Sequence, residues 1–171
     1  IHLNKNKKIY LFDIDNTLAD TYHSFNYNYK SRRVRLSSLA VFLNMRQLII
    51  SLKKNKENKI IFLTARRFYD LWITKSWLKS IGIITDYFDI IIVDNPEEKY
   101  FLIKKILKKY KINISFIDDL SHNHENNNMQ IYSIVKKVNK LPIKYFGYDQ
   151  IHMINNNDLQ DYDLDEYYFH N

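Results

Sequence analysis

Short apolar runs alternate along this chain with longer segments in which apolar residues recur at the spacing of a helix. The apolar runs predict strands over residues 7–14, 59–65, 87–94, 112–119 and 143–147. The helical spacing predicts helices over residues 36–54 and 66–82, from Pro96 onward, and over residues 129–139. Strands that alternate with helices are typical of an α/β fold with a parallel sheet. We therefore predict a three-layer, Rossmann-like domain with a mainly parallel five-stranded sheet.

The apolar stripes of the first three predicted helices indicate which side chains we expect to face the sheet. They are Leu39, Phe42, Leu43, Leu48, Ile49 and Leu52 in the first helix, Phe68, Leu71, Trp72 and Leu78 in the second, and Phe101, Leu102, Ile106 and Leu107 in the third. Beyond Tyr148 the chain becomes rich in Asn and Asp. We expect one domain over residues 1–150 and a polar C-terminal tail over residues 151–171.

Composition narrows the class of protein. The 171 residues include 46% hydrophobic and 26% charged residues, which is ordinary for a soluble globular domain. The absence of cysteine excludes disulfides, zinc sites built on thiolates and cysteine nucleophiles. The longest apolar stretch is interrupted by polar residues, and the first eight residues lack the apolar core of a signal peptide. We expect a cytoplasmic protein with no membrane contact.

The net charge of +7 raises the question of a nucleic-acid partner. Lys, Asn, Ile and Tyr are all abundant together, as in a chain with a compositional bias. The lysines are also spread over helix faces and do not form one block. The charge therefore favours compositional bias and leaves a nucleic-acid partner open.

Polar side chains follow or end three of the predicted strands. The first strand ends at Asp13 and Asp15, the second at Thr64, and the fourth at Asp118 and Asp119. The carboxyl ends of parallel strands meet at one edge of the sheet, where open α/β sheets bind ligands. Two like charges about 4 Å apart repel by roughly 4 kcal/mol at an effective dielectric of about 20. A hard divalent cation would offset that repulsion, and ligation by oxygen alone favours Mg²⁺.

Four short segments carry these residues in a fixed order. They are DIDNT at residues 13–17, FLTAR at residues 62–66, Lys99 near a helix start, and FIDDL at residues 116–120. Together they resemble the four motifs of the phosphatases of the haloacid dehalogenase superfamily. The resemblance implies a Rossmann-like hydrolase domain with a minimal or absent cap, because the stretch between the first motif and the next predicted helix is short.

The resemblance implies a role for each catalytic residue. Asp13 would attack phosphorus and form an aspartyl phosphate. Asp15 would protonate the leaving oxygen and then deprotonate the attacking water. Thr64 would hydrogen-bond a phosphoryl oxygen, and Lys99 would neutralise negative charge and keep the nucleophile ionised.

The resemblance also implies the cofactor and the residues that bind it. Mg²⁺ would be held by Asp13, by the pair Asp118 and Asp119, and by Asp15 through its backbone carbonyl. Which member of the acidic pair touches the metal directly is left open. The metal would neutralise charge and orient the substrate.

Three further motif residues are candidates for substrate contact, namely Asn16, Thr17 and Arg66. Asn16 stands where the resembled family often has Gly, and Asn tolerates an unusual backbone conformation. Arg66 closely follows Thr64 and could hold a substrate phosphate, but a surface Arg at a helix start is an equal alternative.

Two weaker candidates lie outside the motifs. We interpret Asp20 as a loop residue that shapes the chain after the first motif. His122 and His124 follow the acidic pair and suggest zinc, but two histidines at this spacing, without cysteine, are weak evidence for a metal site. We favour polar loop residues for both.

Residues 22–33 interleave aromatic and basic side chains, a composition that can stack on bases and contact phosphates. In the resembled family this region is a flap beside the active site, and the alternative is that its aromatic rings pack the flap onto the body. A site without a large cap suits a bulky substrate, which favours a nucleotide or a polynucleotide end.

The sequence therefore predicts a Mg²⁺-dependent phosphomonoester hydrolase that acts through an aspartyl phosphate. The motifs specify the reaction and not the leaving group, so they do not identify the substrate. The positive charge and the absence of a large cap favour a nucleotide or a polynucleotide-end phosphate. Small metabolite phosphates are the first alternative. A non-catalytic nucleic-acid-binding module on the same scaffold is the second, and the sequence makes no prediction of oligomeric state.

Overall fold

Five parallel strands form the central sheet of this computed structural model, which describes residues 8–126 and 128–156. In chain order the strands are β1 (Lys8–Phe12), β2 (Asn58–Ala65), β3 (Ile90–Val93), β4 (Asn113–Ile117), β5 (Ser121–His122), β6 (Gln130–Ile131) and β7 (Lys144–Phe146). The central sheet has the order β3–β2–β1–β4–β7, and its pairings are all parallel. Strands β5 and β6 pair separately and antiparallel.

Helices cover both faces of this sheet. They are α1 (Thr21–Ser24), α2 (Arg32–Ser37), α3 (Leu43–Lys54), α4 (Leu71–Ser80), α5 (Pro96–Lys109), α6 (Val135–Val138) and α7 (Tyr148–Asn155). One core contains residues of α3, α4 and α7, and a second core contains residues of α5 and α6. Tyr10 and Phe12 of β1 belong to the first core and Ile9 and Leu11 to the second, as strand alternation requires. The predicted three-layer, mainly parallel five-stranded fold is confirmed.

The start of α5 shows how the sequence positions one site residue. The side-chain oxygen of Asn95 accepts a hydrogen bond from the backbone N–H of Glu98 at 3.1 Å and so caps the helix. Pro96 is the first helical residue, where its missing N–H leaves no bond unmade. This start places Lys99 in the first turn, on the buried side of the helix.

Three predicted helix boundaries are wrong. The first helix begins at Leu43 because the backbone N–H of Phe42 donates to the carbonyl of Leu18 at 2.9 Å and holds the entering chain extended. The second begins at Leu71, after a single turn of 3₁₀ helix. The helix predicted over residues 129–139 forms only as the short α6, because β6 occupies the beginning of that range.

Four side chains predicted to face the core are exposed, namely Leu43, Phe68, Trp72 and Phe101. The other predicted positions are buried or half-buried. In α4 the core position belongs to Trp77, whose indole N–H donates to the carbonyl of Leu39 at 2.9 Å. Trp72 lies about 140° around the helix from Trp77, since each residue turns an α-helix by about 100°. It therefore points away from the core.

Few structural elements are inserted between the first motif and α3. Only α1 and α2 lie between the first motif and α3, so the described residues contain no separate cap domain, as predicted. The predicted tail boundary at residue 150 falls inside α7, whose Ile151 and Ile154 are buried, and residues 157–171 lie outside the described residues. No helix in the described part of the chain is long and apolar enough to cross a membrane.

Candidate active site

The carboxyl edge of the sheet brings Asp13 and Asp118 together, because each directly follows one of the neighbouring strands β1 and β4. The backbone N–H of Asp13 donates to the carbonyl of Ile117 at 2.9 Å, and that of Asp118 donates to the carbonyl of Phe146 at 3.1 Å. These bonds continue the sheet beyond the strand ends. Both carboxyl groups, which are buried, therefore start from fixed backbone positions.

Lys99 reaches this edge from α5 and lies between the two carboxylates. Its Nζ is 2.9 Å from Oδ1 of Asp13 and 2.6 Å from Oδ2 of Asp118. The other oxygen of Asp118 accepts the backbone N–H of Leu120 at 2.8 Å. Because Lys99 is only 3% exposed, water screens its charge weakly and both ion pairs act at short range. The lysine predicted for the third motif thus contacts the predicted nucleophile.

Asp119 contacts Thr17 of the first motif and two residues that follow the fourth motif. Its backbone N–H donates to the hydroxyl oxygen of Thr17 at 3.3 Å, and the Thr17 hydroxyl lies 3.5 Å from Oδ1 of Asp119. The hydroxyl of Ser121 donates to Oδ2, and Nε2 of His124 lies 3.5 Å from the same oxygen. Ser121 and His124 are supports that sequence reasoning missed. Their position just after the acidic pair was the available signal.

Asp13, Asp118 and Asp119 form a group of carboxylates that could hold a metal ion. One oxygen of each lies within 4.8 Å of the others, and all three side chains are buried. Oxygen donors in this number fit a hard cation such as Mg²⁺. Three carboxylates beside one lysine also carry an excess of negative charge that a divalent cation would balance. The side chain of Asp15 is not in this group, and ligation by its backbone carbonyl stays a prediction.

Burial raises the pKa of these three carboxyl groups in the protein without metal. The pKa of Asp13 rises to about 7 and that of Asp118 to about 6, although the charge of Lys99 acts in the opposite direction. Burial also raises the pKa of Asp119. Each group is therefore harder to ionise in the folded chain than at its ordinary pKa of 3.8.

We expect Mg²⁺ to stabilise this protein more at about pH 8 than at about pH 5.5. The folded pKa values lie above the unfolded ones, so the metal-free protein loses stability as the pH rises from about 4 to about 7. A bound divalent cation favours the ionised carboxylates and removes that loss. Melting temperatures measured with Mg²⁺ and with a chelator should differ by several degrees more at the higher pH. Asp86→Asn, at an exposed carboxylate, should keep this pattern, whereas an equal Mg²⁺ shift at both pH values would contradict the site.

Asp15 stands beside this group with a different partner. Nε of Arg66 donates to Oδ2 of Asp15 at 2.7 Å, and Nη2 donates to Oδ1 at 2.7 Å. Oδ1 also accepts the hydroxyl of Thr21 at 2.6 Å. Burial alone would raise the pKa of Asp15, but the charge and hydrogen bonds of Arg66 outweigh it and lower the pKa to about 2. Asp15 is therefore ionised in this arrangement.

Arg66 does not lie at the surface, so the alternative interpretation of Arg66 as a surface Arg at a helix start is wrong. Its side chain is buried and uses a third nitrogen, Nη1, to donate to the hydroxyl of Thr74 on α4 at 3.0 Å. This places its guanidinium between α4 and the first motif. Contact between Arg66 and a substrate phosphate stays a prediction.

The other motif residues differ in what their side chains do. Asn16 has a φ of 60°, the left-handed region that Asn tolerates, and its side-chain oxygen accepts the backbone N–H of Tyr22 at 2.9 Å. Thr17 is fully buried and bonds to Asp119, so it positions a carboxylate. Thr64 is also fully buried, and its hydroxyl oxygen has no hydrogen-bond partner among the described residues. Thr64 does not line the cavity beside Asp13, so its contact with a phosphoryl oxygen stays a prediction.

A cavity of about 130 Å³ opens at the centre of these residues. Its lining includes Asp13, Asp15, Lys99, Asp118 and Asp119. The cavity is well below the size of sites that enclose a whole small molecule, roughly 300–1,000 Å³. It can therefore hold a reacting group but not a bulky leaving group.

The weaker candidates have structural partners of their own. Asp20 caps α1, since its Oδ1 accepts the backbone N–H of His23 at 3.2 Å. The ring of His122 stacks on Tyr132 with centroids 4.3 Å apart, while His124 turns toward Asp119. Neither histidine belongs to the carboxylate group described above. The contacts of Asp20 and His122 fit the interpretation as loop residues, whereas His124 supports Asp119.

No protein-family model matches this chain, and no curated protein matches it. Among solved structures it is similar to a chain of the Pnkp1/Rnl/Hen1 complex, with a TM-score of 0.50 and 15% identity over 84% of this chain. It spans 48% of that longer chain, about half its length. It is also similar to the Class C acid phosphatase from Bacillus anthracis in two structures, one with tungstate bound, with TM-scores of 0.48 and 0.49, each at 14% identity over 94% of this chain and 82% of that chain. The first likeness shows a shared fold, and membership of the haloacid dehalogenase superfamily stays a prediction.

Proposed function

We propose that this chain is a phosphomonoester hydrolase with Asp13 as nucleophile and Mg²⁺ as cofactor. One observation carries the proposal: Asp13, Lys99 and the acidic pair Asp118 and Asp119 converge in a small buried cavity at the carboxyl edge of the sheet. A shared fold hosts many functions, so the proposal depends on these residues and their geometry.

The first chemical step belongs to Asp13. Its carboxylate oxygen attacks phosphorus while the bond from phosphorus to the leaving oxygen breaks, which gives an aspartyl phosphate. Lys99, 2.9 Å away, offsets negative charge on the nucleophile and the phosphoryl oxygens, and Thr64 can donate its hydroxyl proton to one of these oxygens. Mg²⁺, when held by Asp13, Asp118 and Asp119, supplies further charge neutralisation.

Asp15 is the proton carrier in this proposal. In the second step water attacks the phosphorus of the aspartyl phosphate, the bond from phosphorus to the Asp13 oxygen breaks, and inorganic phosphate leaves. The Asp15 carboxylate accepts the proton of that water, and the ionised state maintained by Arg66 suits this step. In the first step Asp15 donates a proton to the leaving oxygen, which requires Arg66 to loosen its hold. We infer that Arg66 shifts part of its hydrogen bonding to the substrate's phosphoryl group, which raises the pKa of Asp15.

Asp15→Asn should separate substrates by their leaving groups. An alkyl phosphate needs a proton on its leaving oxygen, so we expect its kcat/KM, which reports formation of the aspartyl phosphate and not its hydrolysis, to fall by about 10³-fold, within the range of general acid–base catalysis. p-Nitrophenyl phosphate has a leaving group that departs as an anion, so its loss should be at least tenfold smaller. Asp20→Asn, at the capping carboxylate of the same segment, serves as the matched control and should change neither rate much. Equal losses for both substrates would contradict the acid role of Asp15.

The catalytic cavity can hold a phosphoryl group but not a bulky leaving group, so the leaving group would lie outside it. A second cavity, of about 420 Å³, adjoins the first at Asn16 and is lined in part by the rings of Tyr22, Phe42 and Tyr148. Aromatic walls suit a nucleoside, because every base has a face that can stack. We therefore propose a nucleotide or polynucleotide-end phosphate as substrate, with small metabolite phosphates as the alternative.

Release of inorganic phosphate tests this proposal. The purified chain should hydrolyse p-nitrophenyl phosphate and either nucleotides or oligonucleotides with a 3′- or 5′-phosphate, in the presence of Mg²⁺ and not after chelation. If the chain releases phosphate from none of these substrates, the proposed phosphatase activity is contradicted. Salt-dependent oligonucleotide binding without turnover would then favour the non-catalytic binding module.

A further inference from the structure

A groove of about 470 Å³ lies between the start of α2 and the turn that leads into α4. Its lining includes Arg32, Arg33, Arg67, Tyr69, Asp70 and Trp72. None of these side chains takes part in the chemistry proposed above. The groove therefore needs an explanation of its own.

The aromatic side chains of this groove are largely exposed to solvent. Tyr69 is 66% exposed and Trp72 is 71% exposed, and the neighbouring Phe68 is 78% exposed. Trp72 is braced by Tyr87, whose ring stands edge-on to it with centroids 5.0 Å apart. Clustered exposed aromatic rings of this kind mark interaction sites on proteins.

The charge of the groove is positive. Arg32 is paired with the buried Asp70 at 2.7 Å, so these two charges offset each other. Arg33 and Arg67 are exposed, and no carboxylate among the described residues pairs with either. Nη1 of Arg67 donates to the hydroxyl of Tyr69, and the guanidinium lies 5.7 Å from the centroid of that ring. Arginine and aromatic rings thus occupy one surface.

The groove begins beside the catalytic cavity. Ala65 lines the cavity and Arg67 lines the groove, and two residues of extended chain span only about 7 Å. Arg66, between them, pairs with Asp15. A polymer that lies in the groove can therefore place its end near Asp13.

We propose that this groove binds single-stranded nucleic acid and guides its phosphorylated end to the catalytic cavity. Bases would stack on Trp72 and Tyr69, and backbone phosphates would contact Arg33 and Arg67. Two exposed arginines without a carboxylate partner among the described residues, on a chain of net charge +7, favour a polyanion over a second copy of this chain, and the exposed rings favour a polyanion with planar groups. The guiding role rests on the proposed phosphatase function, whereas the binding itself does not.

Binding of a fluorescent single-stranded DNA of about 12 nucleotides, within the known range of site sizes, tests the groove directly. In anisotropy titrations of the whole chain, Trp72→Ala should weaken binding by about 5- to 100-fold, the effect of losing one base stack. Arg33→Gln together with Arg67→Gln should lower the slope of log Kd against log salt by about 1.4, since each phosphate contact contributes about 0.7.

Matched controls come from α5, which packs in the other core. Phe101→Ala removes an exposed ring, and Lys105→Gln with Lys108→Gln removes two exposed charges. Both should leave Kd within about twofold, because these residues lie outside the groove. Binding that depends only on general charge would instead respond to them as strongly as to the groove variants. Equal effects of the groove variants and the α5 variants on Kd, or no DNA binding by the unmodified chain, would contradict the proposed role of the groove.

The groove and the phosphatase can fail separately. p-Nitrophenyl phosphate is too small to need the groove, so the groove variants should hydrolyse it at the unmodified rate. Groove-dependent DNA binding without any hydrolysis would support the groove and contradict the phosphatase. If the chain hydrolyses substrate but the Trp72, Arg33 and Arg67 variants bind DNA as the unmodified chain does, only the proposed role of the groove is contradicted. A dimer that Trp72→Ala dissociates, without an effect on DNA binding, would assign the groove to a second copy of the chain.

Discussion

Asp13→Asn should lower kcat by about 10⁴-fold or more, the scale on which an enzyme loses rate when its nucleophile is removed. An amide cannot attack phosphorus, and the residues that would remain in the cavity can only bind and polarise the substrate. We expect this loss for every phosphate ester that the unmodified chain hydrolyses, because the nucleophile acts on phosphorus and not on the leaving group.

The same substitution should leave the fold intact. Burial makes the Asp13 carboxylate costly to ionise, so its replacement by a neutral amide should keep or raise the melting temperature of the metal-free protein at neutral pH. Asp86→Asn, at an exposed carboxylate, is the matched control and should retain full activity. An Asp13→Asn protein that keeps more than about a tenth of the activity, with mass spectrometry excluding deamidation, would contradict the assignment of the nucleophile.

Lys99→Met should have the largest effect on stability. Lys99 is buried between two carboxylates; burial opposes its charge, but Asp118 and Asp13 outweigh burial and hold its pKa well above the ordinary value. Removing one partner of a buried ion pair typically costs 3–5 kcal/mol, so we expect a loss of about 3 kcal/mol in the free energy of unfolding near pH 7. Urea denaturation of the metal-free protein measures this loss. kcat should also fall by about 10²- to 10³-fold, as when a charge-stabilising donor is lost.

Lys105→Met provides the control for this prediction, since it removes an exposed lysine from the same helix. Its effect on the free energy of unfolding should stay within about 0.5 kcal/mol, as for most surface substitutions. Lowering the pH should reduce the deficit of Lys99→Met, because protonated Asp13 and Asp118 no longer need a cation. A deficit of less than about 1 kcal/mol near pH 7 would contradict the strength assigned to the two ion pairs.

The framework of the site follows from local sequence patterns. Apolar runs that end in acidic residues locate Asp13 and Asp118, because parallel strands must finish at a common edge. The capping signal at Asn95 and Pro96 then fixes the turn of α5 that carries Lys99. Each of these inferences depends on residues that are close together in the chain. That is why the sequence is sufficient for them.

The parts that the sequence did not reveal depend on contacts between distant segments. Arg66 is tied to Asp15, 51 positions away, and no local pattern distinguishes this buried arginine from one at the surface. Thr17 bonds to Asp119 across 102 positions, a supporting contact that no local pattern indicates, and its contact with substrate stays a prediction. The late start of α3 has a similar origin, because tertiary hydrogen bonding at Phe42 overrides helical propensity.

The measurement that tests the central claim most directly is the search for a phosphorylated Asp13 during turnover. The chain is mixed with Mg²⁺ and a substrate that carries labelled phosphate, quenched in acid on the millisecond scale, and digested for mass spectrometry after borohydride reduction. We expect label on the protein before free phosphate accumulates, with the reduced residue at position 13. Label on a different residue, or rapid release of phosphate from a protein that is never labelled, would contradict the central claim.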